Sequence, residues 1–196
     1  AHPYLTMDFQ FEANIVRTLA KIIDRGHLHR GFKPVHWCLD CGSALAEAEV
    51  EYADKQSSAV DVAFPFVDRA DAASRFGCDD GEPIDLAIWT TTPWTLPANR
   101  AVALSTDLDY VLLDLGGRRV LVAEALAEGC AQRFGAERHE IIGRAKGAAL
   151  EGLSVMPPFG EAPVPIVLGE HVTTEAGTGC VHTAPAHGLE DFDMGQ

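Results

Sequence analysis

Tyr110-Val111-Leu112-Leu113-Asp114-Leu115-Gly116-Gly117-Arg118-Arg119-Val120-Leu121-Val122-Ala123 is the stretch that decides the architecture. Two aliphatic runs flank a Gly-Gly pair, and two glycines between such runs are the connection of a tight β-hairpin. Working outward, the same short-strand pattern repeats. Val60 to Val67, Ile84 to Thr90 and Ala101 to Leu104 read as strands before the hairpin, and Val164–Leu168 and Thr178 to Thr183 after it. Helical pieces interrupt at Ala70 to Phe76 and Glu124 to Phe134, and another begins near Glu190. Pro157, Pro158, Pro163 and Pro165 make the stretch between them irregular. Many short strands with few helices predict a barrel or a pair of packed sheets.

The first part of the chain differs. Residues 8 to 25 have helical periodicity, with Ile15, Leu19 and Ile22 on one stripe, Asp8 placed to cap the start and Gly26 to close the end. A basic connector, Arg30 to Pro34, leads through Val35-His36-Trp37 into the knuckle Cys38-Leu39-Asp40-Cys41-Gly42. Glu47, Glu49 and Glu51 then alternate with Ala48, Val50 and Tyr52, the pattern of a strand with one wet face. This divides the chain into a helical stem (1–34), a knuckle and connecting strand (35–52) and a β domain (53–196). Both ends read as cuts in a longer protein.

Composition sets further bounds. With 47% hydrophobic and 22% charged residues, a packed core is expected and wholesale disorder is not. No apolar run approaches the ~18 residues of a membrane span, so no membrane partner is expected. The formal charge is −14, from 15 basic and 29 acidic side chains. A domain gripping a nucleic-acid backbone alone should be basic, so a polyanion would have to be held from outside these residues. Five cysteines, only two of them close in sequence, point to a reducing, cytoplasmic setting and not to a disulfide framework.

Three constellations carry possible chemistry. Trp89-Thr90-Thr91-Thr92-Pro93-Trp94-Thr95-Leu96-Pro97-Ala98-Asn99 starts at a strand end, and its prolines forbid an ordinary ladder. It crowds four hydroxyls and an amide into a rigid loop, suited to holding a carbonyl, a hydroxyl and a water. The competing reading is a threonine-rich strand whose hydroxyls satisfy local backbone. In Gly177-Thr178-Gly179-Cys180-Val181-His182-Thr183-Ala184-Pro185-Ala186-His187-Gly188-Leu189-Glu190-Asp191, strand gives way to helix, so His182 and Asp191 can face one cleft. A core histidine and a helix-capping carboxylate are the plain alternatives. Cys38 and Cys41 supply half of a four-ligand zinc site, and a polar strand following them argues against a redox motif.

Together these stretches resemble the editing domain inserted into bacterial isoleucyl-tRNA synthetases. The resemblance runs from Pro3-Tyr4-Leu5-Thr6-Met7-Asp8-Phe9 through Ser43-Ala44-Leu45-Ala46-Glu47-Ala48-Glu49-Val50-Glu51-Tyr52 to Asp191. The valine and leucine enzymes usually carry Thr-Thr-Arg-Pro-(Asp/Glu)-Thr, and Thr92 stands here at the arginine position. The resemblance implies a mainly β (α+β) fold, a closed twisted β-barrel with peripheral helices. It implies hydrolysis of valine from mischarged tRNA(Ile), without a cofactor. Asp191 would pair with the substrate ammonium, His182 and Thr95 would wall the side-chain pocket, and Thr90, Thr91, Thr92 and Asn99 would position the ester, the terminal adenosine and a water. The partners implied are the valine-bearing acceptor end of tRNA(Ile) and the rest of the synthetase. A second cysteine pair after Gln196 would complete the structural zinc site. The His-Ile-Gly-His and Lys-Met-Ser-Lys-Ser signatures of ATP use are absent from these residues, so amino-acid activation would belong to the full-length enzyme. A valyl- or leucyl-type editing domain and a non-catalytic module for aminoacylated ends remain as alternatives.

Overall fold

The computed structural model describes residues 3–79 and 81–196, which divide into two compact units at the step from Lys33 to Pro34. The first is built on α1 (Phe9–Asp24). Asp8 caps it: Oδ1 accepts from the backbone N–H groups of Gln10 and Phe11 at 3.0 and 3.1 Å, satisfying two donors that the helix leaves free. Gly26 closes it with φ +74°, a value glycine adopts without strain. The apolar stripe of Ile15, Leu19 and Ile22 is exposed.

In the second unit, β1 (Trp37–Cys38) and β2 (Ser43–Ala44) form a small antiparallel ribbon around the cysteine knuckle. The expected strand over Glu47–Tyr52 is not formed. Glu49 reaches back to accept from the Ala46 N–H at 2.8 Å, and residues 47–49 close into a 3₁₀ turn. Alternation alone does not make a strand where no partner ladder is at hand.

The remaining elements follow as β3 (Val60–Pro65), α2 (Arg69–Phe76), β4 (Ile84–Thr90), β5 (Ala101–Leu104), β6 (Asp109–Asp114), β7 (Arg119–Ala123), α3 (Ala127–Arg133), β8 (Glu140–Lys146), β9 (Ser154–Val155), β10 (Val164–Leu168), β11 (Val181–Thr183) and α4 (Leu189–Met194). They build a five-stranded sheet, β3-β4-β7-β6-β8, and a four-stranded one, β11-β5-β10-β9. The hairpin read from the sequence joins β6 to β7, with Gly116 and Gly117 at φ +83° and +95°; two positive φ values in succession give the turn whose twist suits adjacent strands.

The three central strands of the five-stranded sheet, β4, β7 and β6, are buried on both faces. Leu86, Ile88, Tyr110, Leu112 and Leu121 face the core shared with Val102, Leu104, Val155 and Ile166 of the second sheet. Val111, Leu113, Val120 and Val122 face Ala127, Cys130 and Ala131 of α3. Each fully buried leucine contributes ~1.5–3 kcal/mol relative to exposure.

The fold is a mixed α+β one, but the closed barrel is not what the hydrogen bonds form. Among the described residues neither sheet closes on itself. They are linked at one side, through the Phe66–Val155 bridge with Val67 N–H to Ser154 O and Met156 N–H to Pro65 O. The other two ends, β8 and β11, do not pair. Two features account for this. Helix α2 packs on β8, where a Cβ on Gly143 would come within 2.6 Å of Phe76. The stretch ahead of β11 turns at Gly177 and Gly179, with φ +82° and +75°, so the expected strand over 178–183 shortens to its last three residues.

Candidate active site

The end of β4 becomes a site because Pro93 lacks an N–H and cannot extend a ladder. Pro93 instead opens a 3₁₀ turn over Pro93–Ala98, whose Leu96 is buried in the core. Ahead of the turn, Thr90 Oγ1 accepts from the Thr92 N–H at 3.0 Å and lies 3.2 Å from the Thr92 hydroxyl. Within it, the Thr92 carbonyl accepts twice, from the Thr95 N–H at 3.0 Å and the Thr95 hydroxyl at 2.9 Å. Thr91, partly buried, is held by its carbonyl, which accepts from the Ser57 hydroxyl at 2.9 Å.

The chain leaves this turn at Asn99 and enters β5, which pairs with β11 in a register that sets His182 opposite Val102. That register carries the imidazole to the turn. His182 Nε2 lies 3.0 Å from Thr95 Oγ1, and His182 Nδ1 lies 2.6 Å from Asn99 Nδ2, which also donates to the Ala101 carbonyl at 2.9 Å. His182, Thr95 and Asn99 are all buried, and among the described residues Asn99 Oδ1 has no hydrogen-bond partner. Burial holds the His182 imidazole below its ordinary pKa, opposed by the negative charge of Asp191 and assisted by His187.

Asp191, on α4, is partly buried, and its Oδ2 accepts from the Ala184 N–H at 2.8 Å. The site is therefore graded. Asn99, Thr95 and His182 lie deep, Thr90 is buried beside them, Asp191 is intermediate and Thr92 is exposed at the mouth. The threonine turn is bonded directly to His182, and Asp191 stands close enough to act on that ring electrostatically. A cleft of about 580 Å³ lies elsewhere, on the α3 side of β3, β4 and β7 beside Asp61, Arg118 and Arg133.

Sequence reading overlooked the residues that hold the strand of His182 in place. Tyr110, fully buried, donates its hydroxyl to the Gly179 carbonyl at 2.8 Å and accepts from the Ser105 N–H at 2.9 Å; burial raises its pKa far above the phenol range. The Ala123 N–H donates to Thr178 O at 2.8 Å, and a Cβ on Gly179 would collide with that of Ala123. Arg133 donates to Gly177 O at 3.0 Å while paired with Asp61 at 2.9 Å. A tyrosine two residues into a hydrophobic strand gives no hint in sequence of a partner 69 residues away.

The knuckle is separate and simpler. The Cys41 N–H donates to Cys38 Sγ at 3.3 Å, which lowers the Cys38 thiol pKa, and the Gly42 N–H donates to Cys38 O at 2.9 Å. An amide aimed at a sulfur suits a thiolate ligand. Among the described residues no group of three or more Cys, His, Asp or Glu is gathered to hold a metal.

Comparison with known proteins bears on this geometry. The family model for tRNA synthetases class I (I, L, M and V) matches residues 1–176. The chain belongs to that family. Among curated members, the isoleucine–tRNA ligase of Alcanivorax borkumensis is 63% identical over 199 residues, covering 100% of this chain and 21% of that protein. That of Shewanella sp. (strain MR-4) is 58% identical, covering 99% and 21%. The chain thus spans about a fifth of the length of these class I synthetases. The fold is shared with a crystal structure described as GlLeuRS-CP1 (TM-score 0.61, 15% identity, covering 70% of this chain and 58% of that one). It is shared too with the editing domain of the Plasmodium knowlesi (P. knowlesi) cytosolic leucyl-tRNA synthetase (TM-score 0.59, 12% identity, 71% and 62%).

Proposed function

We propose that this part of a class I synthetase hydrolyses the ester of valine wrongly attached to tRNA(Ile). The observation that carries the reading is the meeting of the hydroxyl-rich turn, His182 and Asp191 at one end of the β5–β11 ladder. Its context is a chain similar along its whole length to isoleucine–tRNA ligases.

The need for such a site is physical. One methylene in a hydrophobic pocket is worth only ~1–3 kcal/mol, a magnitude known from enzymes of this same family and not from this structure. A second site that excludes the larger side chain by overlap turns a shallow preference into a steep one. Thr95 and His182, both buried and mutually bonded, form the unyielding wall for that purpose.

Asp191 pairs with the substrate ammonium. Its Oδ2 is committed to the Ala184 N–H, which leaves Oδ1 for the ligand. Thr90, Thr91 and Thr92 position the terminal adenosine, the ester and a water. The water oxygen bonds to the ester carbon, the bond to the ribose oxygen breaks, the ribose oxygen takes a proton, and valine leaves. His182 is not the base, because both its ring nitrogens are already engaged by Asn99 and Thr95. Positioning and electrostatics therefore carry the acceleration, with a free ribose hydroxyl of the tRNA assisting the water. Cys38 and Cys41 would hold a zinc ion jointly with ligands from the rest of the synthetase, in a structural role. The net charge of −14 fits a domain that receives only the acceptor end of a tRNA gripped elsewhere.

The decisive experiment compares hydrolysis of valyl- and isoleucyl-tRNA(Ile) by this chain and by a full-length synthetase containing it. The valyl ester is expected to be cleared selectively, and far faster in the full-length enzyme. Equal clearance of both esters, or none, would overturn the reading.

A further inference from the structure

We propose that Asn99 is a positioning residue that fixes the tautomer of His182, holding the imidazole neutral with its proton on Nε2, so that the side-chain wall has a single shape and no charge. The proposal rests on the editing reading above for its functional part, but the proton arrangement follows from geometry alone.

Counting protons settles the direction of each bond. The atom of Asn99 that lies 2.9 Å from the Ala101 carbonyl must be the amide nitrogen, because a carbonyl oxygen has no proton to give and an amide oxygen there would face it as a second acceptor. That same nitrogen lies 2.6 Å from His182 Nδ1. Its second hydrogen therefore points at Nδ1, which must accept. A neutral ring that accepts at Nδ1 carries its proton on Nε2. Nε2–H then donates to Thr95 Oγ1 at 3.0 Å, and the Thr95 hydroxyl, with one proton of its own, donates to the Thr92 carbonyl at 2.9 Å. The result is one directed chain from Asn99 through His182 and Thr95 to Thr92, in which each hydrogen has one place.

Protonating His182 would set a donor on Nδ1 against the donor of Asn99, so the chain resists the imidazolium. The other charged or titratable groups facing the ring are Asp191 on α4, which favours the cation, and His187 in the turn before it, which opposes it. From β5, the opposing Val102 adds no charge. Asn99 is ill suited to a purely stabilising role: it is 7% exposed, and its Oδ1 has no hydrogen-bond partner among the described residues. An amide is needed at this position because only a two-hydrogen donor can serve Ala101 and His182 together.

The functional consequence concerns selectivity more than turnover. With the ring free to exchange tautomers, Thr95 would exchange donor and acceptor roles, the Thr92 carbonyl would lose one of its two bonds, and the wall would loosen.

The test begins with nitrogen-15 NMR of this chain carrying labelled histidine, the His182 signals being assigned through a His182→Gln variant. In the unaltered chain the two-bond correlations should show Nδ1 bare and Nε2 protonated, with titration below the usual imidazole range. A proton on Nδ1, or fast exchange between both forms, overturns the proposal without any variant having to fold. Asn99→Asp replaces the donor with an acceptor and should move the proton to Nδ1 and raise the titration point. Thr95→Val leaves the Asn99 donor facing Nδ1, so Nε2 should stay protonated although its hydrogen loses its acceptor; a proton moved to Nδ1 in that variant would overturn the role given to Asn99. In a full-length synthetase, Asn99→Asp should lower the preference for the valyl over the isoleucyl ester by roughly tenfold, the low end of what one methylene is worth. An unchanged preference despite a switched tautomer would refute the positioning role and leave the hydrolase reading standing. Absence of hydrolysis by the unaltered enzyme would refute the hydrolase reading, and with it the selectivity role, while the tautomer result would stand.

Discussion

The two polar clusters of the 34–196 unit are opposites in construction. The cysteine knuckle is made by five consecutive residues, lies at the surface and is bonded within itself. The cluster around His182 joins residues 87 and 83 positions apart, lies deep and is tied to both sheets. The difference teaches where each kind of site draws its rigidity. A knuckle can be ordered by its ligand, whereas a size-selecting wall must be ordered before the ligand arrives, and a framework of paired strands does that.

The contrast can be broken in several ways. The largest effect is expected from Asp191→Ala, which removes the carboxylate proposed to meet the ammonium and frees the Ala184 N–H. Hydrolysis of valyl-tRNA(Ile) should fall by about a hundredfold or more with the circular dichroism unchanged, and a fall below threefold would remove Asp191 from the site. Next comes Gly179→Ala, where φ is +75° and the new methyl meets Ala123. A loss of ~2–3 kcal/mol is expected, seen as a Tm lower by roughly 5–10 °C. Tyr110→Phe leaves the Gly179 carbonyl and the Ser105 N–H without their partner, and denaturant titration should register ~1–3 kcal/mol.

A smaller effect concerns pH. The folded state holds the His182 pKa below the unfolded value, so the unfolded chain takes up the proton first. Stability from this group is complete above about pH 6.5 and declines as pH falls below that toward the folded pKa. Replacing His182 with Gln should flatten that part of the stability profile. Last, Cys38→Ser should shift the stability of this chain by less than ~0.5 kcal/mol, because it disturbs only the exposed knuckle. A large loss there would erase the contrast between the two clusters.

How much of this was legible beforehand depends on the range of the interactions. The bounds read for β4, β5 and β10 match those observed, because each is a short, mainly apolar run ended by proline, polar or glycine residues. β8 escaped notice: Glu140-Ile141-Ile142-Gly143-Arg144-Ala145-Lys146 is half exposed, pairs on one side only and carries a glycine needed for the approach of Phe76. β9 is two residues long and exists only through its neighbours. The strand pattern leaves a barrel or a pair of packed sheets open and the closed barrel comes from the resemblance alone; neither says whether the last edges meet. As for the site, composition marks Thr90 to Asn99 as hydroxyl-rich, the change from strand to helix turns His182 and Asp191 toward one cleft, and the resemblance adds their roles. None of these discloses that Asn99 and Thr95 grip the two nitrogens of one ring, since that depends on the β5–β11 register.

That register has a consequence for any change made at the site. Adjacent strands keep a spacing of about 4.8 Å whatever side chains they bear. The gap between the β5 and β11 backbones is thus cast by the ladder, and a new side chain at position 182 would be an insert in an untouched mould.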